Sequence, residues 1–128
     1  MRKSNYPRVR LSKQNLSENT YTCGDNSWSA AGLVQYAKDK KYPVFDLPLA
    51  GIDLSILPWS DCENLKNLAI HMKRAIESDL KYPVIIDEYG YICDGWHRVM
   101  KALALGLTYI KAIRIEKMPR PDGRKEER

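Results

Sequence analysis

Much of what stabilises small secreted or metal-bound domains is missing from this chain. Its three cysteines, Cys23, Cys62 and Cys93, contain no C-x-x-C pair. An odd and scattered set excludes a disulfide framework and predicts three reduced thiols. Only two histidines are present, His71 and His97, so a structural metal centre lacks ligands and none is expected. No apolar run approaches the ~20 residues that a membrane helix needs. The opening MRKSNYPRVR carries charge with no apolar h-region behind it. These absences lead to the expectation of a cytoplasmic protein with no membrane partner. What remains, 128 residues with 44% apolar content, suits one globular domain able to bury a core.

A continuous basic surface is also missing, although the formal net charge is +5. Residues 1–13 hold five Lys or Arg and no acids, and residues 111–128 hold seven bases against four acids. The intervening 14–110 carry nine bases and twelve acids, so the body is mildly acidic. A DNA-binding face is not expected there, whereas the basic tails are either nucleic-acid contacts or solvated ends. The plan that follows is a basic arm over 1–20, a single domain over 21–118 with an accessory strand and helix in 21–41, and a solvated tail over 119–128.

Within the domain, 21–23 reads as a short strand and Gly24-Asp25-Asn26 as a turn. A helix then follows, capped by Ser27, with Ala30, Leu33, Val34 and Ala37 as its apolar stripe. Residues 42–57 alternate but contain Pro43, Pro48 and Gly51, as an edge or bent strand with a break would. Ser60-Asp61-Cys62-Glu63 has the S-x-x-E form of a capping box and leads into Leu65, Leu68, Ala69, Met72, Ala75 and Ile76 at helical spacing. Pro83 ends that helix by Leu80. Val84-Ile85-Ile86 then reads as a buried strand and 87–90 as a turn, followed by a strand at 91–93, a helix ending at Gly106 and a last strand over 109–115. The tetrapeptide Lys-Tyr-Pro-Val at 41–44 and 81–84 is read as shared strand-start chemistry, not duplication.

The chemistry concentrates where the fourth strand meets the third helix, at Asp94-Gly95-Trp96-His97-Arg98. With Asp94 as N-cap, the first-turn N–H groups face the positive end of the helix dipole, which makes an anion site. Gly95 would let an anion reach the backbone, and His97 and Arg98 would close on its oxygens, Arg98 with a bidentate fork. The alternative is plain capping, with His97 on a carbonyl and Arg98 paired to Asp87 or Glu88. His71 and Arg74, one turn apart on the polar side of the preceding helix, either reach across to the same ligand or form a solvated face. Trp59 either stacks on a base or plugs the core, and Trp96 either covers a bound ring or shields the pocket floor.

The order strand, turn, strand, D-G-x-H-R, helix, strand over 84–115 resembles the nucleotide-binding core of the ParB and sulfiredoxin superfamily. The likeness extends over about residues 42–115 when the upstream strand and helix are included. In that superfamily a G-x-x-R or G-C-H-R signature at a helix N-terminus holds nucleotide phosphates. The local pattern is most similar to the D-G-H-H-R signature of the ADP-dependent free-serine kinases, with Trp96 replacing one histidine. The resemblance implies an α+β fold with a small mixed sheet and packed helices, of the ParB/sulfiredoxin-like kind. It also implies a nucleoside di- or triphosphate (ATP, ADP or CTP) brought in with Mg²⁺, and phosphoryl transfer or hydrolysis as the chemistry. The implied nucleotide site is Asp94, Gly95, Trp96, His97 and Arg98 with His71 and Arg74. His97 and an upstream carboxylate, Asp53 or else Asp46, are the candidate catalytic groups.

Departures narrow the activity. Sulfiredoxin has a cysteine where Trp96 stands, so sulfinic-acid reduction is not expected. No helix-turn-helix follows the core within the 128 residues, so centromere binding of the ParB kind is not expected either. The rivals are a nucleic-acid-binding ParB-like module working through Arg98 and the basic tails, and an interaction protein with a vestigial pocket.

Overall fold

The computed structural model describes residues 5–11 and 20–124. Most of the basic arm expected over 1–20, and residues 125–128, lie outside the described residues. The chain builds an α+β fold of three helices and two sheets among the described residues. No helix among them is long and apolar enough to cross a membrane.

The first sheet starts as a hairpin, β1 (Thr20–Cys23) and β2 (Asn26–Ser29), turned at Gly24 with φ +61°. Residues 26–29, expected as the end of the turn, the Ser27 cap and the start of the helix, are therefore strand. Helix α1 (Ala30–Asp39) begins later, with Ser29 and not Ser27 as its cap, the Ser29 hydroxyl accepting from the Gly32 N–H at 3.0 Å. The C-terminal segment does not remain a solvated tail. Trp28 Nε1 donates to the Pro119 carbonyl at 2.9 Å, Asp122 accepts from the Ser29 N–H at 2.7 Å, and a third strand (Gly123–Arg124) pairs with β2. Unpaired N–H and C=O groups along β2 offered an edge, and a polar segment with a reversing Asp-Gly could fill it.

The second sheet has four strands: β3 (Val44–Pro48), β4 (Val84–Ile86), β5 (Ile92–Asp94) and β6 (Tyr109–Arg114), in the order β3-β6-β4-β5. Both Lys-Tyr-Pro-Val copies open a strand, because proline excludes helix at the preceding residue and cannot itself donate to a ladder. β3 is an edge strand paired only to β6, in keeping with its prolines, and a 3₁₀ turn (Leu49–Gly51) follows it. β4 runs parallel to β6 and antiparallel to β5 and is buried on both faces, which accounts for its unbroken Val-Ile-Ile run.

Period-two alternation splits the core into two layers around this sheet. Val84, Ile86, Ile92, Ile110 and Ala112 meet Val99 and Ala102 of helix α3 (Trp96–Ala104) on one face. Ile85, Cys93, Ile113 and Ile115 meet Leu33 and Ala37 of α1 and Trp28 of the hairpin on the other. The three cysteines are free thiols, and burial pushes the Cys93 thiol up, with the nearby Asp87 and Asp94 charges adding to it.

Helix α2 (Leu65–Glu77) departs most from its sequence pattern. Its cap is Asn64, whose side chain accepts from the Asn67 N–H at 2.9 Å, and the expected capping box at 60–63 lies ahead of the helix in turns. Leu65 is 79% and Ile76 69% exposed, whereas His71 at 3% and Ala75 at 4% are buried. The large side chains of the expected stripe, Leu65, Leu68, Met72 and Ile76, thus face outward, Ala75 is buried as expected, and His71 of the expected polar side turns toward α3. The helix's last carbonyls are held by Lys101 of α3, whose Nζ donates to Ile76 O at 3.1 Å and Ser78 O at 2.5 Å.

Candidate functional site

Three pieces of chain converge beside the N-terminus of α3: the loop before α2, the inward face of α2, and the β5–α3 junction. The junction needs Gly95. It is the N-cap of α3 with φ +114°, a conformation that costs any residue with a Cβ. A Cβ there would lie 2.5 Å from Val84 Cγ1 and 2.8 Å from Nη2 of Arg98, so the space left by the absent side chain is filled from within the fold. Asp94 is accordingly the last residue of β5 and not the helix cap. No side chain caps α3, unlike α1 and α2.

Arg98 runs back over Gly95 to Asp94, with Nη2 2.8 Å from Oδ2 and both side chains largely buried at 17% and 12% exposure. The alternative pairing with Asp87 or Glu88 is not made, and the partner is Asp94. The i,i+4 spacing across the helix start makes Asp94 the nearest carboxylate. Arg98 Nε is the buried side-chain polar atom without a partner among the described residues. Arg98 borders a separate cavity with Val34, Lys38 and Tyr82.

The cavity in front of the α3 N-terminus has a volume of about 320 Å³. It brings together Asp94, Gly95, Trp96, His97, His71 and Arg74 from the expected set. Arg98 does not line it, and neither does Asp53 or Asp46. Asp53 is exposed, with Oδ1 accepting from the Ser55 N–H at 3.0 Å and the Ser55 hydroxyl at 2.6 Å, bonds that hold its carboxyl below the usual range. Asp46 is paired to Lys111 at 2.6 Å on the edge strand. The catalytic role expected of an upstream carboxylate therefore finds neither residue at the cavity.

Besides Asp94, which is paired to Arg98, the cavity holds a second carboxylate, Asp61, which the sequence pattern places in a capping box. Its Oδ1 lies 2.7 Å from His71 Nε2, and His71 Nδ1 lies 2.9 Å from His97 Nε2. The Trp59 indole stacks on both imidazoles, with centroids at 4.3 Å from His71 and 4.5 Å from His97 and planes within 17°. Trp59 is thus neither a core plug nor a free stacking platform, since one face is engaged by the histidine pair. Asn67 Nδ2 donates to the Asp61 carbonyl at 2.6 Å and pins this loop to α2.

Burial pushes the His97 imidazole down to about 4, helped by the neighbouring Arg74, His71 and Arg98 and opposed by Asp61. The hydrogen bond from His71 holds the Asp61 carboxyl below the usual carboxylate range. Near neutral pH the cavity therefore contains an ionised Asp61 and a neutral His97. Among the described residues no group of three or more His, Cys, Asp or Glu side chains can hold a metal ion. In the sequence, Asp61 gave no sign beyond standing one loop ahead of a histidine-bearing helix.

Comparison with family models, with curated proteins and with solved structures finds no match. The reading of this cavity rests on its own residues.

Proposed function

We propose that the cavity takes the phosphate end of a nucleoside di- or triphosphate, as expected of a ParB/sulfiredoxin-like nucleotide-binding protein. One observation carries this reading: the first turn of α3, which no side chain caps, shares a cavity wall with Arg74. Free first-turn N–H groups and the helix dipole favour an anion, and a guanidinium supplies a full positive charge beside them. At about 320 Å³ the cavity is at the small end of ligand pockets, so it suits phosphates with the nucleoside extending outward. With no protein cage for a cation among the described residues, Mg²⁺ would arrive on the phosphates, where it would neutralise charge during phosphoryl transfer or hydrolysis.

Calorimetry with ATP, ADP and CTP, each with Mg²⁺, tests the reading. At least one should bind, and Arg74→Ala should weaken it about 10- to 100-fold, the range of one charge-assisted hydrogen bond. Absence of binding by all three, or equal binding by wild type and Arg74→Ala, would overturn it.

A further inference from the structure

We propose that Asp61, His71 and His97 form a proton relay whose outer end, Nδ1 of His97, takes the proton from a water or hydroxyl group in the cavity. The relay deepens the nucleotide reading by naming the group that activates the acceptor, and it rests on that reading only for what the acceptor attacks.

Hydrogen-bond direction carries the argument. An ionised carboxylate can only accept, so Nε2 of His71 must donate to Asp61 across their 2.7 Å contact. A neutral His71 then has a bare Nδ1, which accepts from His97 Nε2 at 2.9 Å. His97, neutral in its turn, is left with a bare Nδ1. That atom is not sealed, because His97 lines the cavity and the buried, unpartnered side-chain atom among the described residues is Arg98 Nε. The far end of the chain is thereby a lone pair on a residue of the cavity wall.

The step balances without a further reactant. The acceptor O–H gives its proton to His97 Nδ1, His97 passes its Nε2 proton to His71 Nδ1, and His71 keeps its Nε2–H on Asp61. The products are an activated oxygen nucleophile, a neutral His97 with its proton on Nδ1, and an imidazolium at His71. The charge settles against the Asp61 carboxylate and under the Trp59 face, which favours a cation. It does not stay on His97, where Arg74 of α2 and Arg98 of its own helix oppose it and where Asp94 of β5 is already paired to Arg98. The low proton affinity of His97 is compatible with its role, since it transmits the proton and does not store it. Asp61 and His71 are positioning residues; His97 is the group that would touch the acceptor.

The test uses ligand-free full-length protein with ¹⁵N-labelled histidine, so its outcome is independent of whether any nucleotide binds. Long-range ¹H–¹⁵N spectra should show both rings as Nε2–H tautomers at pH 8. On acidification His97 should stay neutral and switch from the Nε2–H to the Nδ1–H form, the sign that its Nε2 now accepts from its neighbour across the 2.9 Å contact. In Asp61→Asn, which removes the charge at the inner end, that switch should move at least one pH unit lower or vanish. A His97 that carries its proton on Nδ1 at pH 8 overturns the relay. So does one that becomes charged without switching, or one that switches at the same pH in Asp61→Asn.

Discussion

Two carboxylates anchor polar networks inside this molecule, and they end differently. Asp87, 2% exposed, accepts from the Tyr21 hydroxyl at 2.7 Å and from the Tyr89 and Tyr91 N–H groups at 2.9 Å each. Every donor belongs to the fold, and the network closes the β4–β5 turn onto the hairpin. Burial, together with the bond to Asp87, pushes the Tyr21 hydroxyl well up, so that network stays as it is across the ordinary pH range. Asp61 is half exposed and starts a chain through His71 that stops at His97 on a cavity wall. A closed network fixes structure. An open one leaves an atom for chemistry.

The largest expected effects break the closed side of this contrast. Asp87→Ala strands three donors in a buried site and should cost about 4 kcal/mol by urea denaturation, whereas Asp61→Ala, losing a half-exposed acceptor, should cost about 1 kcal/mol. A cost for Asp61→Ala as large as that for Asp87→Ala would erase the distinction. Arg98→Ala should cost about 3 kcal/mol, because it leaves the Asp94 carboxylate buried without its partner. An unaffected denaturation midpoint would return Arg98 to the role of ligand contact.

A smaller effect is pH-dependent. The His97 pKa is depressed in the fold to about 4 from an ordinary 6.5. The unfolded chain therefore binds this proton first as pH falls. Its contribution to stability is complete above 6.5 and is lost as pH drops toward 4. Discounted for the partial exposure of the site, the loss should be at most about 2 kcal/mol. Urea midpoints at pH 7, 5.5 and 4.5 measure it, and His97→Gln should flatten that slope while leaving the midpoint of Asp87→Ala as low as before. The Asp61 carboxyl, also depressed, acts in the same direction below its own ordinary pKa.

The smallest effect concerns the helix that carries His71. Leu65→Gln should change stability by no more than about 0.5 kcal/mol, since an exposed leucine away from the packed layers contributes little. A loss above 2 kcal/mol would mean that the apolar stripe of α2 is covered in solution.

Much of the framework was legible in the chain. Val84-Ile85-Ile86 reads as a doubly buried strand, Gly90 and Gly106 fall where the backbone needs positive φ, and Pro43 and Pro48 mark the edge strand. These features are decided within a few residues by sterics and periodicity, so position in the fold hardly alters them. Site composition was partly legible: Gly95, Trp96, His97, His71 and Arg74 do meet in one cavity. Their partners were not. Arg98 turned to Asp94, and Asp61 passed for part of a cap.

Local pattern thus determined the central helices and strands, though not the strands at 26–29 and 123–124, and that the D-G-W-H-R junction lies where β5 meets α3. Only the tertiary structure decided which way α2 faces. Helical periodicity argued for the Leu65, Leu68, Ala69, Met72, Ala75, Ile76 side as the buried one, and the fold buries Ala75 together with His71 while leaving Leu65, Met72 and Ile76 exposed. The physical reason is that a histidine enters an interior when both ring nitrogens find partners, and its partners, Asp61 and His97, stand 10 and 26 residues away along the chain.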